Sequence, residues 1–257
     1  GLGLIGGVFA DRFNRSTVLG VGRIVRGLTL AALGPLVLAN EVQLWQVLVV
    51  VFVQGGTDGI IAPSFNSLAY DTVGPRRLMN AVAYVLAAFH ISWIVGSILF
   101  GNVISAIGIG GAYAIASGAL LAGAVPIYFM DVSNANQQKN ESVWISLRNG
   151  ITYAGRNGPL RALLILSILT ESFGFSYITM LPVIAKNVLN VGPTGLGYLL
   201  AAGGIGSLMG TFIVANLSES RNKWKILTIG TLCAGTAILL FATSSWYLAS
   251  LVLAGVI

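Results

Sequence analysis

The chain has 257 residues, 56% of them hydrophobic and only 9% charged, with a formal net charge of +6 and a mean hydropathy of +0.86. A soluble domain of this length carries about 25% charged residues, so the composition excludes a solvated globular surface and describes an integral membrane protein. The basic residues form no single patch, which argues against nucleic acid as a partner. One cysteine, Cys233, allows no internal disulfide, and one histidine beside it argues against a zinc site.

A spanning helix needs about 20 predominantly apolar residues. Gly1–Phe9 reads as the tail of such a helix. Full apolar runs follow at Thr17–Ala39, Leu44–Leu68, Ala81–Ile104, Gly110–Met130, Leu160–Ala185, Gly195–Ala215 and Ile226–Thr243, and Trp246–Ile257 begins another. The chain opens in one apolar run and closes in another, so it is expected to be a fragment truncated at both ends. Most connections are short. The exception is polar Asp131–Pro159, which divides the chain into an N-terminal half bundle (1–130), a linker (131–159) and a C-terminal half bundle (160–257). Within the linker, Trp144, Leu147, Ile151 and Ala154 recur at helical spacing. They predict a short amphipathic helix, either lying on the membrane interface or packed under the bundle.

Charge then sets the topology. If the loop DRFNRS (residues 11–16) is cytoplasmic and the sides alternate from there, the cytoplasmic segments hold Arg12, Arg15, Arg76, Arg77, Lys139, Arg148, Arg156, Arg161, Arg221, Lys223 and Lys225. The outer segments hold only Lys186, and Arg23 and Arg26 lie inside a span. So large a bias follows the positive-inside rule and predicts a multi-pass protein of the cell membrane with its central loop in the cytoplasm.

The segment Gly7-Val8-Phe9-Ala10-Asp11-Arg12-Phe13-Asn14-Arg15-Ser16 sits in a tight turn between two spans. It resembles the G-x-x-x-D-R-x-x-R-R loop between the second and third helices of the major facilitator superfamily, with Ser16 replacing the last basic residue. The resemblance implies an all-α helical bundle of two pseudo-symmetric halves, running from late helix two into helix ten of twelve. It also implies a gating role for Gly7, Asp11, Arg12 and Arg15. Further on, Ala62–Tyr84 and Leu181–Gly210 resemble the branch of enterobactin exporters and macrolide-efflux proteins. That resemblance implies secondary transport of a small-molecule substrate through the lipid bilayer. It points to efflux of a drug or siderophore-like solute by alternating access, with protons as the coupling ion, in a monomer that needs no cofactor. Two features depart from the branch. Gly96–Gly101 lacks the Gly-Pro that exporters often carry in helix five, and the matching loop of the second half, NLSESRNKWK, lacks the Asp-Arg pair.

Charges inside spans are costly and are functional candidates by default. Asp58 and Arg26 lie on consecutive antiparallel spans. At 1.5 Å per residue, Arg26 is roughly 14 Å and Asp58 roughly 15 Å from the cytoplasmic ends of their helices. A pair at matched depth is therefore possible, either as a gating or proton-sensing pair or as a static ion pair that fixes packing. Glu171 lies near the middle of its span with no basic neighbour in sequence. Desolvation would favour its protonated form, which suits a proton carrier or a contact for a cationic substrate; the alternative is a carboxylate facing water without a role. His90 is the single histidine and is either a ligand contact or a hydrogen-bonded packing residue. No nucleophile or metal constellation stands out, so no enzyme is expected. A membrane-embedded enzyme using Asp58, His90 and Glu171, and a non-transporting scaffold, remain the alternative readings. The absence of a G-x-x-x-x-G-K-[ST] motif argues against a directly ATP-driven pump.

Overall fold

The computed structural model describes residues 15–73, 78–128, 152–153, 155–174, 176–216 and 223–257. Among these the regular structure is helical throughout, as an apolar chain in a bilayer requires, because a helix satisfies its own backbone hydrogen bonds. The elements are α1 (Arg15–Leu38), α2 (Leu44–Val73), α3 (Leu78–Ala122), α4 (Val125–Tyr128), α5 (Gly158–Leu169), a π-helical turn (Thr170–Gly174), α6 (Ser176–Asn187), α7 (Pro193–Asn216), α8 (Lys223–Thr243) and α9 (Tyr247–Val256). Five helices among the described residues are long and apolar enough to cross a membrane.

The expected seven runs map onto these elements with two differences. The apolar stretch Tyr84–Ile127 runs for 44 residues, far beyond one bilayer crossing. Within it α3 is two helical arms joined at Gly108, whose φ of 75° and ψ of 177° are non-helical. Only glycine adopts that backbone freely, so the two runs expected on either side of 104–110 stay distinct. The run Leu160–Ala185 is not one continuous helix. It is divided into α5, the π-helical turn and α6, and Pro182 inside α6 removes a further backbone donor.

The chain forms two compact units. The first takes in α1, α2, the arm of α3 after Gly108, and α4; the second takes in Ala83–Ala106 and Asn157–Ile257.

In the first unit α1 lies between two neighbours. Toward α2, a Cβ on Gly22 would come within 2.7 Å of Ile61 and 3.2 Å of Thr57. Toward the second arm of α3 and α4, three glycines spaced by seven residues make the approach. Gly20 faces Ile127, Gly27 faces Leu121 and the Ser117 carbonyl, and Gly34 faces Tyr113 and the Gly110 carbonyl. The buried Ser117 hydroxyl donates to the Gly27 carbonyl at 2.9 Å. Small residues let membrane helices meet at this range, where van der Waals contact replaces the hydrophobic drive that lipid abolishes. Asn40, with φ 56°, closes α1 as its Glu41 neighbour donates back to the Leu36 carbonyl.

The second unit has its core in Leu181, Ala185, Leu189, Leu199, Ala202, Phe241 and Ala254. The first arm of α3 runs antiparallel along α7. Gly101 meets Gly197 nearly backbone to backbone, the Trp93 indole donates to the Leu200 carbonyl at 3.2 Å, and Ser105 bonds Thr194 at 2.8 Å. Helix α9 presses equally close on α7 at Gly206 and Gly255. Large apolar side chains such as Phe52, Leu239 and Val252 are exposed, the expected arrangement where the surrounding solvent is lipid.

Candidate functional site: charged residues within the spans

Arg23 and Arg26 sit one turn apart on α1, and the structure gives them different work. Helix α3 stops at Ala122 and a short turn at Gly123–Ala124 precedes α4. Pro126 explains the stop: it has no N–H to offer the Ala122 carbonyl and its ring crowds the preceding turn. Broken backbone inside a bilayer needs an outside partner. Arg23 supplies it, its Nη1 donating to the Gly123 carbonyl at 2.9 Å. Arg23→Met keeps most of the apolar stem and removes the donor. It should lower the unfolding free energy by about 0.5–1.5 kcal/mol, the net worth of a typical hydrogen bond, because the contact is only partly buried. Thermal unfolding of the full-length protein checks this, and an unchanged midpoint would show that the carbonyl finds another donor.

Arg26 forms the candidate site. It sits midway along the 24 residues of α1, and Asp58 sits midway along the 30 residues of α2. Arg26 Nη1 donates to Asp58 Oδ1. The structure thus brings together the two charges whose matched depth the sequence allowed. It adds Gln54, which sequence reasoning missed. Arg26 Nε donates to Gln54 Oε1 at 2.6 Å, and Gln54 Nε2 donates back to the Arg26 carbonyl at 3.3 Å. The signal was available: Gln54 precedes Asp58 by four residues, so both project from one face of α2. The Asp58 side chain is 58% exposed and that of Arg26 28%. A charged carboxylate at mid-span cannot face hydrocarbon; it belongs against a water-filled cavity or the bundle interior.

His90 lies elsewhere, on the first arm of α3, half-buried, with Nε2 3.5 Å from Thr211 Oγ1. Thr211 also donates its hydroxyl to the Ser207 carbonyl at 2.8 Å. Phe89 packs edge-on against the ring. This is a hydrogen-bonded position in a helix contact.

The backbone of Glu171 lies in the π-helical turn; its side chain is outside the described residues. At that break the Thr170 N–H reaches both the Leu166 and Ser167 carbonyls, and Ser176 Oγ donates to the Ser172 carbonyl at 2.7 Å. Gly7, Asp11 and Arg12 lie outside the described residues, as does most of the 131–159 segment. Arg15 opens α1, with its side chain undescribed. Among the described residues no group of three or more His, Cys, Asp or Glu is placed to hold a metal ion.

Apolar spans joined by short turns, with a braced ion pair at mid-depth, define a multi-pass α-helical membrane protein. The chain belongs to the Major Facilitator Superfamily, whose family model matches residues 1–257. It is similar to the "Uncharacterized MFS-type transporter YfiS" of Bacillus subtilis (strain 168), with 27% identity over 247 residues, an alignment covering 92% of this chain and 56% of that relative. The chain thus spans little more than half the length of the curated relative it matches.

Proposed function

We propose that the protein is a secondary transporter that moves small organic molecules, drug- or siderophore-like, out of the cell by alternating access, with protons as the coupling ion. The observation that carries this reading is the Arg26–Gln54–Asp58 cluster, charged and hydrogen-bonded midway along two apolar spans. Retaining such a cluster in a bilayer is costly, and a solute path is what it serves. Membership of the family supports transport, and the resemblance of residues 62–84 and 181–210 to exporters supports the direction. In this reading the halves 1–130 and 160–257, joined by a cytoplasmic linker at 131–159, rock about a mid-membrane site in the plasma membrane, as a monomer. Gly7, Asp11, Arg12 and Arg15 form the cytoplasmic gate.

Glu171 is the proton-coupling carboxyl of this proposal. Its backbone lies in a π-helical turn, a departure from α-helix that recurs at functional sites. Glu171→Gln fixes the neutral form. In inverted vesicles of the full-length protein it should abolish proton-driven solute accumulation yet leave energy-independent counterflow running, since rocking does not require the charge. Accumulation equal to wild type removes Glu171 from coupling, and loss of counterflow as well assigns it to structure or substrate contact.

A further inference from the structure

The first unit holds an open cavity of about 340 Å³ where α1 meets the turn to α2. Leu33 and Val37, four residues apart, line it from one face of α1, and Asn40 follows in the turn. Ile109 and Tyr113 line it at the same spacing from the second arm of α3, which begins afresh after the non-helical Gly108. Val42 and Val47 come from the turn and the start of α2. The cavity lies beside the close contact that Gly34 makes with Tyr113 and the Gly110 carbonyl. Leu33, only 3% exposed, is at its buried end, and the exposed Asn40 and Val42 are at its rim. Leu33 is about 7.5 Å along the axis from the end of α1, and Arg26 is about 10.5 Å further in. The cavity therefore stands apart from the charged cluster.

Its lining carries no charge. The side chains are aliphatic except for the Asn40 carboxamide and the Tyr113 hydroxyl. Neither of those groups has a hydrogen-bond partner among the described residues. A concave apolar wall with a few polar groups is the usual form of a small-molecule site, and such sites occupy about 300–1,000 Å³. A cavity of about 150 Å³ holds benzene, so this one has room for about a dozen non-hydrogen atoms. An ion would leave water for a wall without a counter-charge. A lipid chain would gain little, since the bilayer is already as apolar as the wall. A hydroxyl both donates and accepts, as do the carboxamide and the phenol, and hydrocarbon offers it neither partner. We propose that the cavity binds a small uncharged ring alcohol, with the ring against Leu33, Val37 and Val47 and the hydroxyl toward Asn40 and Tyr113. The site takes nothing from the transport reading and stands or falls by binding alone.

The test is calorimetric titration of 1-naphthol into the purified full-length protein in lipid nanodiscs at pH 7, with empty nanodiscs as the baseline for partitioning. One saturable site is expected, with Kd between about 10 μM and 1 mM for a ligand of this size. Naphthalene, which lacks the hydroxyl, should bind about 2- to 10-fold more weakly, the worth of one hydrogen bond. The ions 1-naphthoate and 1-naphthylmethylammonium should not bind. Asn40→Gly keeps the turn, because glycine accepts the φ of 56° at that position, and Tyr113→Phe removes only an oxygen. Together they should erase the preference for naphthol over naphthalene and leave the melting temperature near that of wild type. Val47→Trp should fill the space and abolish binding of both; if it fails to fold, the Asn40→Gly/Tyr113→Phe protein decides. No saturable signal above empty nanodiscs, a preference unchanged in Asn40→Gly/Tyr113→Phe, binding retained in folded Val47→Trp, or equal binding of either ion would each overturn the proposal. Binding seen in detergent but lost in nanodiscs would overturn it too, by giving the cavity to a lipid chain.

Discussion

Arg26→Leu should destabilise the full-length protein by about 2–3 kcal/mol. Removing one partner of a fully buried pair costs about 3–5 kcal/mol, because the other charge is left uncompensated. Exposed pairs contribute about 0–1 kcal/mol. The pair lies between these limits: Asp58 is 58% exposed and Arg26 28%, and Arg26 also loses its Gln54 contacts on substitution. Asp58→Asn should cost less, since asparagine still offers an oxygen to the guanidinium and Gln54 keeps its hold. The double variant should cost less than the sum of the singles, because neither charge is then stranded. Thermal unfolding of all four proteins closes the cycle, and additive losses would show that the two charges stabilise the fold independently.

Gly206→Ala is expected to be more damaging still, at about 3 kcal/mol or more, the upper end for forcing extra volume into a packed contact. A Cβ there would lie 1.8 Å from the Gly255 carbonyl oxygen and 2.7 Å from its carbon. Both are backbone atoms, so no rotamer change relieves the clash, and α7 and α9 must move apart. Gly210, one turn further along α7, is the internal control. Nothing lies within 4 Å of a Cβ at that position, so Gly210→Ala should be neutral or gain up to about 1 kcal/mol from helix propensity. Melting temperatures measured side by side decide the matter, and equal losses at both positions would show that the α7–α9 approach is not set by Gly206.

Much of the helical layout was legible because a bilayer imposes one strict rule, a long apolar run for each crossing. The break near residues 104–110 was drawn from run length alone, and the structure places it at Gly108. The matched depth of Arg26 and Asp58 followed from helix rise alone. Other features needed three dimensions. Gln54 is neutral and ordinary in composition, and only its four-residue offset from Asp58 hints at a shared face. Arg23 looked equivalent to Arg26; its separate task depends on a helix stop at Pro126, more than a hundred residues later. The π-helical turn has no compositional signal at this length, since Thr170–Gly174 reads as ordinary helix between two apolar stretches. The contact between His90 and Thr211 was invisible in the sequence because the two lie 121 residues apart.

The glycines at 20, 27 and 34 carry a consequence for how this chain can change its length. A seven-residue recurrence drifts by about 20° per repeat on a straight α-helix, so a stripe of this kind stays on its neighbour only if the two helices wrap left-handedly. One residue inserted between Gly27 and Gly34 would turn everything beyond it by about 100°, swinging Gly34 off Tyr113 and Gly110 and bringing a bulky side chain into the gap. Deleting one residue does the same in the other sense. Helix α1 can therefore accept many substitutions on its lipid-facing side, whereas insertions and deletions within it break the contact: even a whole repeat of seven, which restores the facing, carries Gly34 about 10.5 Å along the axis and away from its partners.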